Sequence, residues 1–367
     1  MAVDRHLRFT LALHRAAAAG GADACFSPYS VASALGLVSR AARGRSAEEV
    51  LELLAGTGTG EDTDLEPQAR LLREAAELDD EAAILAVANT LWASDSIIVE
   101  DGFQAELATW PGGRAETAPF AGDPGAARRL INADVDRTTR GLIPELLPDG
   151  ALDADVRASI VNALYLKTAW RFPFPEGATA PAAFHGPEGA REVPTMRLQE
   201  TLGYQHADGW QVAVLNAAGG VQAVVLLPDG ELPPAEAALD EHRLAALIEG
   251  AQRRKVRLAL PKVSLDVRTD LDRALKTLGV RELFTPDADL TGLTETRPFW
   301  VHSVLHQAVL RLDEQGLEGA AATAVQMRTM SLDSSDPVEV TVDRPFLLLV
   351  RHARSGAVYF FARVVRP

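Results

Sequence analysis

Cysteine, lysine and long apolar runs are scarce in this sequence of 367 residues. The single cysteine, Cys25, excludes an internal disulfide and any multi-cysteine metal site, and we interpret it as a small buried residue. The longest apolar runs fall well short of the roughly 20 residues that a membrane-spanning helix needs, so no membrane is expected as a partner. The formal net charge of -15 argues against nucleic acid or a sulfated polyanion as a partner, because such binding uses clustered Lys and Arg.

The pattern of a secretory leader is also missing. The amino terminus has an acid at Asp4 and a helical period, without a basic flank, an apolar block and a cleavage site. We therefore expect a cytoplasmic protein, or an extracellular one if a leader has been trimmed from it.

Motifs for catalysis and cofactor binding are absent from the sequence. It contains no His-Glu-x-x-His pair, no nucleophile elbow around a serine and no dinucleotide-binding fingerprint. The glycine-rich segment 56–64 follows a predicted helix and has no Walker lysine, which favours a surface loop. His302 and His306 lie in a strand-like segment, where their spacing does not favour a metal site. The protein is therefore not expected to be an enzyme, and no cofactor or metal is expected.

The first half of the chain is predicted to be mainly helical. A helical apolar period runs through residues 4–19 and stops at two glycines. Ser27 is predicted to cap a second helix with Pro28 at its first position, where the missing amide donor costs nothing. Ser46 and Glu49 stand at capping-box spacing and predict the start of a third helix.

From about residue 155 the pattern changes to β-rich runs separated by turn residues. The apolar run 156–170 predicts a central strand that is covered on both faces. Two hairpins are predicted, with turns at 219–220 and 355–356. No repeat and no Pro-rich or Ser-rich linker divides the chain, so residues 1–367 are predicted to form one α+β domain, with helices early and sheets late.

Residues 313–337, DEQGLEGAAATAVQMRTMSLDSSDP, form an unusually long connection between two predicted strands. Alternate residues from Leu317 to Met327 are uncharged, whereas the intervening set includes Glu318 and Arg328. This two-residue period is typical of a half-buried strand, and its small side chains would displace little volume in a packed sheet. The final SLDSSDP favours an exposed loop, and an Ala-rich surface helix or a flexible linker are the alternative interpretations.

Five motifs occur in the order in which they occur in serpins, and they span nearly the whole chain. They are FSPYSVASAL (26–35), VNALYLKTAW (161–170), LGVRELFTPDADLTGLT (278–294), the hinge pattern from Glu314 to Thr323, and DRPFLLLVRHARSGAVYFFARVVRP (343–367). The sequence thus resembles the serpin family of serine protease inhibitors, in particular its bacterial inhibitory members. The resemblance implies a monomer with the serpin fold: a large mixed main sheet, smaller sheets, helices packed around them, and an exposed reactive-centre loop with its hinge over 314–336.

The resemblance implies an irreversible suicide-substrate inhibitor of serine proteases. A target protease attacks the loop through its own serine and forms a covalent acyl complex. The cleaved loop of the metastable inhibitor then inserts into the main sheet and displaces the protease before the ester hydrolyses. The family's seventeen-residue interval from Glu314 puts the reactive bond between Met330 and Ser331, which favours chymotrypsin-, elastase- or subtilisin-like targets. Cleavage between Arg328 and Thr329 would indicate a trypsin-like target, and a non-inhibitory serpin that acts as a binding protein is the other alternative.

The family pattern also implies roles for residues outside the reactive bond. The hinge comprises Glu314, Gly316, Leu317, Glu318, Gly319, Ala320, Ala321, Ala322 and Thr323. A hydrogen-bonded cluster where the main sheet must open is matched by Ser27, Ser30, Asn162 and His306. The group where insertion starts is matched by Trp170, Lys262 and Glu314, with Lys262 and Glu314 as an ion pair. Leu317 replaces the usual Thr or Ser and is expected to slow the first step of insertion, whereas Asp134 replaces a common Trp and concerns packing only.

Overall fold

The computed structural model describes residues 2–18, 20–56, 64–98, 103, 107, 110–318 and 336–367. The helices in these ranges are α1 Ala2–Ala17, α2 Pro28–Ala41, α3 Gly44–Ala55, α4 Glu66–Ala76, α5 Pro124–Thr138, α6 Leu232–Ala237, α7 Glu241–Glu249 and α8 Leu271–Thr277. The strands are β1 Ala24–Phe26, β2 Ala83–Ser94, β3 Gly113–Ala118, β4 Ala158–Ala169, β5 Ala180–Gly186, β6 Gly189–Ala207, β7 Trp210–Asn216, β8 Val221–Pro228, β9 Gln252–Pro261, β10 Val263–Asp270, β11 Ser303–Leu312, β12 Gly316–Leu317, β13 Val338–Thr341, β14 Phe346–His352 and β15 Val358–Val364. None of the helices in the described ranges is long and apolar enough to cross a lipid bilayer. The longer helices come early and most strands come late, which confirms the predicted α+β class.

Two sheets organise the strands. The main sheet has the order β10-β11-β12-β4-β2-β3, and it is mixed because β11 is parallel to β4 while β10 and β2 are antiparallel to their neighbours β11 and β4. The second sheet has the order β1-β15-β14-β8-β7-β6-β9-β13, with β5 attached to β6. The mixed main sheet is therefore as predicted. The strands outside it, which were expected in smaller sheets, form one nine-stranded second sheet.

Strand β4 is covered on both faces, as its uninterrupted apolar run predicts. On one face Ile160 and Leu164 belong to the core that contains α2. On the other face Val161 and Ala163 pack in a second core with α5. A strand added beside β4 would therefore lie in the interior, between these two layers.

The start of α2 and the two hairpins are formed as the local sequence patterns predict. The Ser27 hydroxyl caps α2 by accepting a hydrogen bond of 3.1 Å from the Ser30 amide, and Pro28 occupies the first helical position. Both predicted hairpins are present, as β7 with β8 and as β14 with β15. Their turns use the left-handed region at Gly219, with φ of 66°, and at Gly356, with φ of 78°.

The capping box predicted for the third helix is wrong. Helix α3 begins at Gly44, and no side chain caps its amino end. The Ser46 hydroxyl instead donates to Glu282 Oε2 over 2.7 Å and accepts from the Asp289 amide over 3.1 Å. Glu49 Oε2 accepts from the Glu282 amide over 2.8 Å. Both side chains bind the segment that follows α8, because that segment packs against α3.

Candidate functional site

A gap lies between β11 and β4 toward the carboxyl ends of these two parallel strands. They pair directly from Ser303 opposite Ser159 to Gln307 opposite Ala163. Beyond that point, within the described ranges, segments 308–311 and 164–167 do not pair with each other. Unpaired strand edges present backbone amide and carbonyl groups that can bind a further strand. The gap is therefore a place where one strand can be added between two existing ones.

Two residues of the predicted hinge already occupy one end of the gap. Strand β12 is antiparallel to both neighbours, with Gly316 opposite Ala169 and with Leu317 opposite both Thr168 and Leu312. A Cβ atom on Gly316 would lie 2.1 Å from the Thr168 carbonyl oxygen, so only glycine permits this close approach. Leu317 is 1% exposed. The residue that was expected to slow the first step of insertion thus lies in the sheet of the uncleaved chain.

The chain leaves the main sheet at Glu318. Its φ of 58° lies in the left-handed region, which costs a non-glycine residue about 1–2 kcal/mol. Its amide donates to the Arg311 carbonyl oxygen over 3.1 Å, and its Oε1 lies 3.7 Å from Arg311 Nη1. Burial raises the pKa of the Glu318 carboxyl above its usual value, and the charges of Arg311 and Lys167 offset this only in part. Further insertion requires Glu318 to adopt an extended conformation.

The residues predicted to start insertion meet at the turn between β11 and β12. Lys262 Nζ lies 2.7 Å from Glu314 Oε2, and the Thr179 hydroxyl donates to Glu314 Oε1 over 2.7 Å. The buried Trp170 indole donates to the Asp313 carbonyl oxygen over 2.8 Å. Burial raises the pKa of Glu314, but the hydrogen bonds from Lys262 and Thr179 outweigh it and hold that pKa below its usual value. This group fixes the point from which β12 enters the sheet.

The predicted sheet-opening residues form one hydrogen-bonded network at the closed end of the gap. His306 Nε2 accepts from the Ser27 amide over 3.0 Å, and His306 Nδ1 bonds Asn162 Oδ1 over 2.8 Å. Asn162 Nδ2 donates to the Ser30 carbonyl oxygen over 2.7 Å and to Asn89 Oδ1. All four predicted side chains are buried. The network joins α2, β2, β4 and β11, so it holds β4 against β11 where direct pairing begins.

His306 is neutral in this network. Because its Nε2 accepts from an amide, the ring proton is on Nδ1, from which it is donated to Asn162. Burial lowers the pKa of His306 to about 4, and the hydrogen bond to Asn162 opposes only part of that effect. A proton on Nε2 would remove the acceptor of the Ser27 amide, so protonation would break the network.

Sequence reasoning missed some members of these groups. Asn89 carried a signal, because it is a polar residue within the largely apolar run of β2. Asp313 binds Trp170 through its backbone carbonyl, which its residue type does not reveal, while its Oδ1 accepts from the amides of Gln315 and Gly316 in the turn. Asp134, which stands where the family commonly has Trp, is buried on α5 and forms ion pairs with Arg114 and Arg137. The packing expected of an aromatic ring is replaced there by charge pairing.

The remaining predicted residues lie outside the described part of the chain. They are Gly319, Ala320, Ala321, Ala322 and Thr323 of the hinge, and Arg328, Thr329, Met330 and Ser331 of the two alternative reactive bonds. Their roles stay predictions.

Known proteins resemble this chain in sequence and in fold. A family model described as serpin (serine protease inhibitor) matches residues 4–367. Alpha-1-antiproteinase 2 of Equus caballus is 31% identical over 365 residues, which cover 98% of this chain and 85% of the relative. Ipis-1 of Ixodes persulcatus is 30% identical over 371 residues, which cover 98% and 97% of the two chains. Human thyroxine-binding globulin, in a complex with thyroxine, has the same fold at a TM-score of 0.88 and 23% identity, with 100% and 98% of the chains covered.

Proposed function

The chain belongs to the serpin family, and from this premise we propose that it inhibits serine proteases irreversibly as a suicide substrate. The target's serine Oγ attacks the carbonyl carbon of Met330, the bond to Ser331 breaks, and the new amino group of Ser331 leaves with the carboxyl-terminal segment. The chain up to Met330 stays joined to the protease as an ester. Insertion of the freed segment into the main sheet then displaces the protease before water reaches that ester. The inhibitor acts as a monomer, with one chain for each protease.

The observation that carries this proposal is the position of β12 in the gap. When the register of Gly316 and Leu317 is extended along both neighbours, Thr323 comes to lie opposite Asn162 and His306 at once. Those two residues are direct partners in the parallel pairing of β4 and β11. Insertion as far as Thr323 therefore replaces the hydrogen bond between His306 and Asn162. The sheet-opening network stands at the point where insertion must separate the two strands.

Insertion also has a sufficient driving force. Residues 318–326 would gain backbone hydrogen bonds to β4 on one side and to β11 on the other. Each inserted residue brings one amide and one carbonyl group, so at about 1 kcal/mol net for each bond the gain still exceeds the loss of the direct pairing of β4 with β11 by on the order of 10 kcal/mol. This is comparable to the stability of a whole domain. The uncleaved chain does not realise this gain, because the loop is held by Leu317 in the main sheet and by Val338 in the second sheet. Cleavage releases one of these two ends.

Target specificity follows from the reactive bond. We place that bond between Met330 and Ser331, at the family's seventeen-residue interval from Glu314. The long unbranched apolar side chain of Met330 then favours the hydrophobic specificity pocket of chymotrypsin-, elastase- or subtilisin-like proteases. Cleavage between Arg328 and Thr329 would direct the inhibitor to trypsin-like proteases instead.

The buried position of Leu317 favours a second candidate, a serpin that binds a partner without inhibiting a protease. An anchored Leu317 leaves a shorter free segment between the sheet and the reactive bond, which slows its fit into a protease cleft. A protease would then cut the loop as an ordinary substrate and dissociate.

Incubation of the chain with chymotrypsin, elastase and trypsin, followed by denaturing electrophoresis, tests the proposal. Inhibition predicts a covalent complex and a released peptide whose mass corresponds to 331–367, or to 329–367 if the trypsin-like bond is used. A matched variant, Thr323→Arg, should be cut at the same bond with little complex, because its charge would have to enter the buried centre of the sheet. Cleavage of the wild type without any covalent complex would contradict the proposed inhibition and support the second candidate, a serpin that binds a partner without inhibiting a protease.

A further inference from the structure

A basic face lies on the second sheet beside the strand that follows the reactive-centre loop. We define it by the outward side chains of Arg197 on β6 and of Arg253, Lys255 and Arg257 on β9. Side chains alternate along a strand, and Val256 between two of these residues is buried in the core. Arg197, Arg253 and Arg257 are exposed, and Lys255 is half-buried.

The pairing of β6, β9 and β13 brings these side chains to one side of the sheet. Arg197 lies opposite Ala259, and Arg257 lies opposite Glu339 of β13, with which it forms an ion pair. In the described parts of these strands, from residue 197 onward on β6, Glu339 is the only acidic residue at an outward position. The basic face therefore has an excess of positive charge, although the formal net charge of the chain is -15 and Glu339 pairs with Arg257.

The basic face lies close to the start of β13, the first strand after the reactive bond. Strand β13 runs parallel to β9, with Val338 opposite Val256, so Arg253 and Lys255 project beyond its start, on the side from which the loop arrives. Met330 precedes Val338 by eight residues, which span at most about 29 Å when fully extended. A compact domain of about 200 residues is roughly 40 Å across. A protease that holds the reactive bond is therefore wide enough to reach this end of β9.

We propose that the basic face is a docking surface for target proteases that carry acidic residues around the active-site cleft. The inference rests on the proposed function, since it assigns the class of partner that approaches the loop. Complementary charge raises the rate of association and selects among partners with the same cleft specificity. At physiological salt, charges are screened beyond about 8 Å, so the local basic face decides the encounter rather than the distant acids of the chain.

Chymotrypsin and succinylated chymotrypsin form a matched pair of probes. Succinic anhydride converts positive surface lysines into negative side chains and leaves the catalytic serine unchanged. Active-site titration equalises the two concentrations, and the measured quantity is the second-order rate constant for attack on the loop. This rate is read from the loss of intact chain, whether the product is a covalent complex or a cleaved loop.

The test variant is Arg253→Glu/Lys255→Glu, which reverses the two charges nearest to the path of the loop. Its control is Arg70→Glu/Arg254→Glu, which changes the net charge equally: Arg70 is exposed on α4, and Arg254 alternates to the other side of β9. At about 0.05 M NaCl, succinylated chymotrypsin should attack the wild type and the control about 5- to 10-fold faster than the test variant. At about 0.5 M NaCl this difference should fall below about 2-fold, and unmodified chymotrypsin should show little difference at either salt concentration.

Equal rates of succinylated chymotrypsin on the wild type and on the test variant would overturn the proposal. If these rates were equal and the wild type bound immobilised dextran sulfate more tightly than the test variant, the basic face would be a polyanion site, and the proposal of a protease docking surface would be wrong. Failure to form a covalent complex with either probe would contradict the proposed inhibition but not the docking surface, because the rate of attack is measured independently of the product.

Discussion

His306 on β11 and Asn162 on β4 are direct partners in the parallel register, and their side chains share a hydrogen bond of 2.8 Å. If the register of β12 were extended into the gap, as the proposed insertion requires, residue 323 would come opposite these same two residues. The proposed insertion would therefore have to replace the hydrogen bond between His306 and Asn162. Its strength should contribute to the barrier that keeps the uncleaved chain in its starting state.

Asn162→Ala should destabilise the uncleaved chain. The substitution leaves His306 Nδ1 and the Ser30 carbonyl oxygen without their partner in the buried interior. We expect the free energy of unfolding in urea to fall by about 2–4 kcal/mol, as is usual when buried polar groups lose their partners. The control Thr277→Ala, which removes an exposed hydrogen bond to the Arg273 carbonyl oxygen, should change it by less than about 0.5 kcal/mol. Equal effects of the two substitutions would show that the network does not hold the sheet closed.

Acid should weaken the uncleaved chain through His306. Burial lowers its folded-state pKa to about 4, whereas an unfolded chain titrates near about 6.5. Between these two values only the unfolded state binds the proton, so the free energy of unfolding falls as the pH falls, by up to about 1.4 kcal/mol per pH unit. Burial lowers the pKa of His6 to about 4 as well, so a part of the slope persists without His306.

Urea unfolding of wild type and His306→Gln across this pH window measures the contribution of that one residue. In the variant, the free energy of unfolding should depend less steeply on pH, because the proton that the unfolded wild type binds at His306 is no longer taken up. The control His302→Gln, at an exposed position, should keep the wild-type slope. Identical slopes for wild type and His306→Gln would mean that His306 binds its proton equally well in both states.

If the proposed inhibition is correct, Leu317→Glu should turn the chain into a substrate that the protease cuts and releases. The position is 1% exposed between β11 and β4, and burial of an unpaired carboxylate there costs several kcal/mol. Chymotrypsin should then cut the loop and dissociate, so that the number of chains consumed per protease inactivated rises at least about 10-fold. Leu317→Thr, the uncharged control, should still form the covalent complex. A Leu317→Glu variant that forms as much complex as the wild type would exclude insertion through this gap.

Gly316→Ala should prevent β12 from entering the sheet. The new Cβ atom would lie 2.1 Å from the Thr168 carbonyl oxygen. This clash can be removed only if the backbones of β12 and β4 move apart. We expect the free energy of unfolding to fall by about 1–3 kcal/mol and the amide of Leu317 to exchange its hydrogen faster. Gly177→Ala, at a glycine with open space around its Cβ position, is the control. Unchanged exchange at Leu317 would show that β12 tolerates the side chain.

Most predictions that depend on near neighbours in the sequence are confirmed. Ser27 and Pro28 start α2, because a cap and a missing amide donor act within one turn of helix. The uninterrupted apolar run of β4 predicted a strand buried on both faces, because side chains of a strand alternate between its two faces. The capping box predicted at Ser46 and Glu49 is also a local pattern, but it is wrong, because both side chains bind partners more than two hundred residues away in the sequence.

By itself, the sequence determined the fold class, the start of α2, the two hairpins and the residues that resemble a reactive-centre hinge. Only the tertiary structure decided that Leu317 lies inside the main sheet. Strands β11 and β4 pair over only part of their length, and the gap that admits Leu317 lies beyond the paired part. The same holds for the basic face, whose residues on β6 and β9 are neighbours only through strand pairing. Local patterns set the conformation of short segments, whereas pairing between distant segments sets which of their side chains meet.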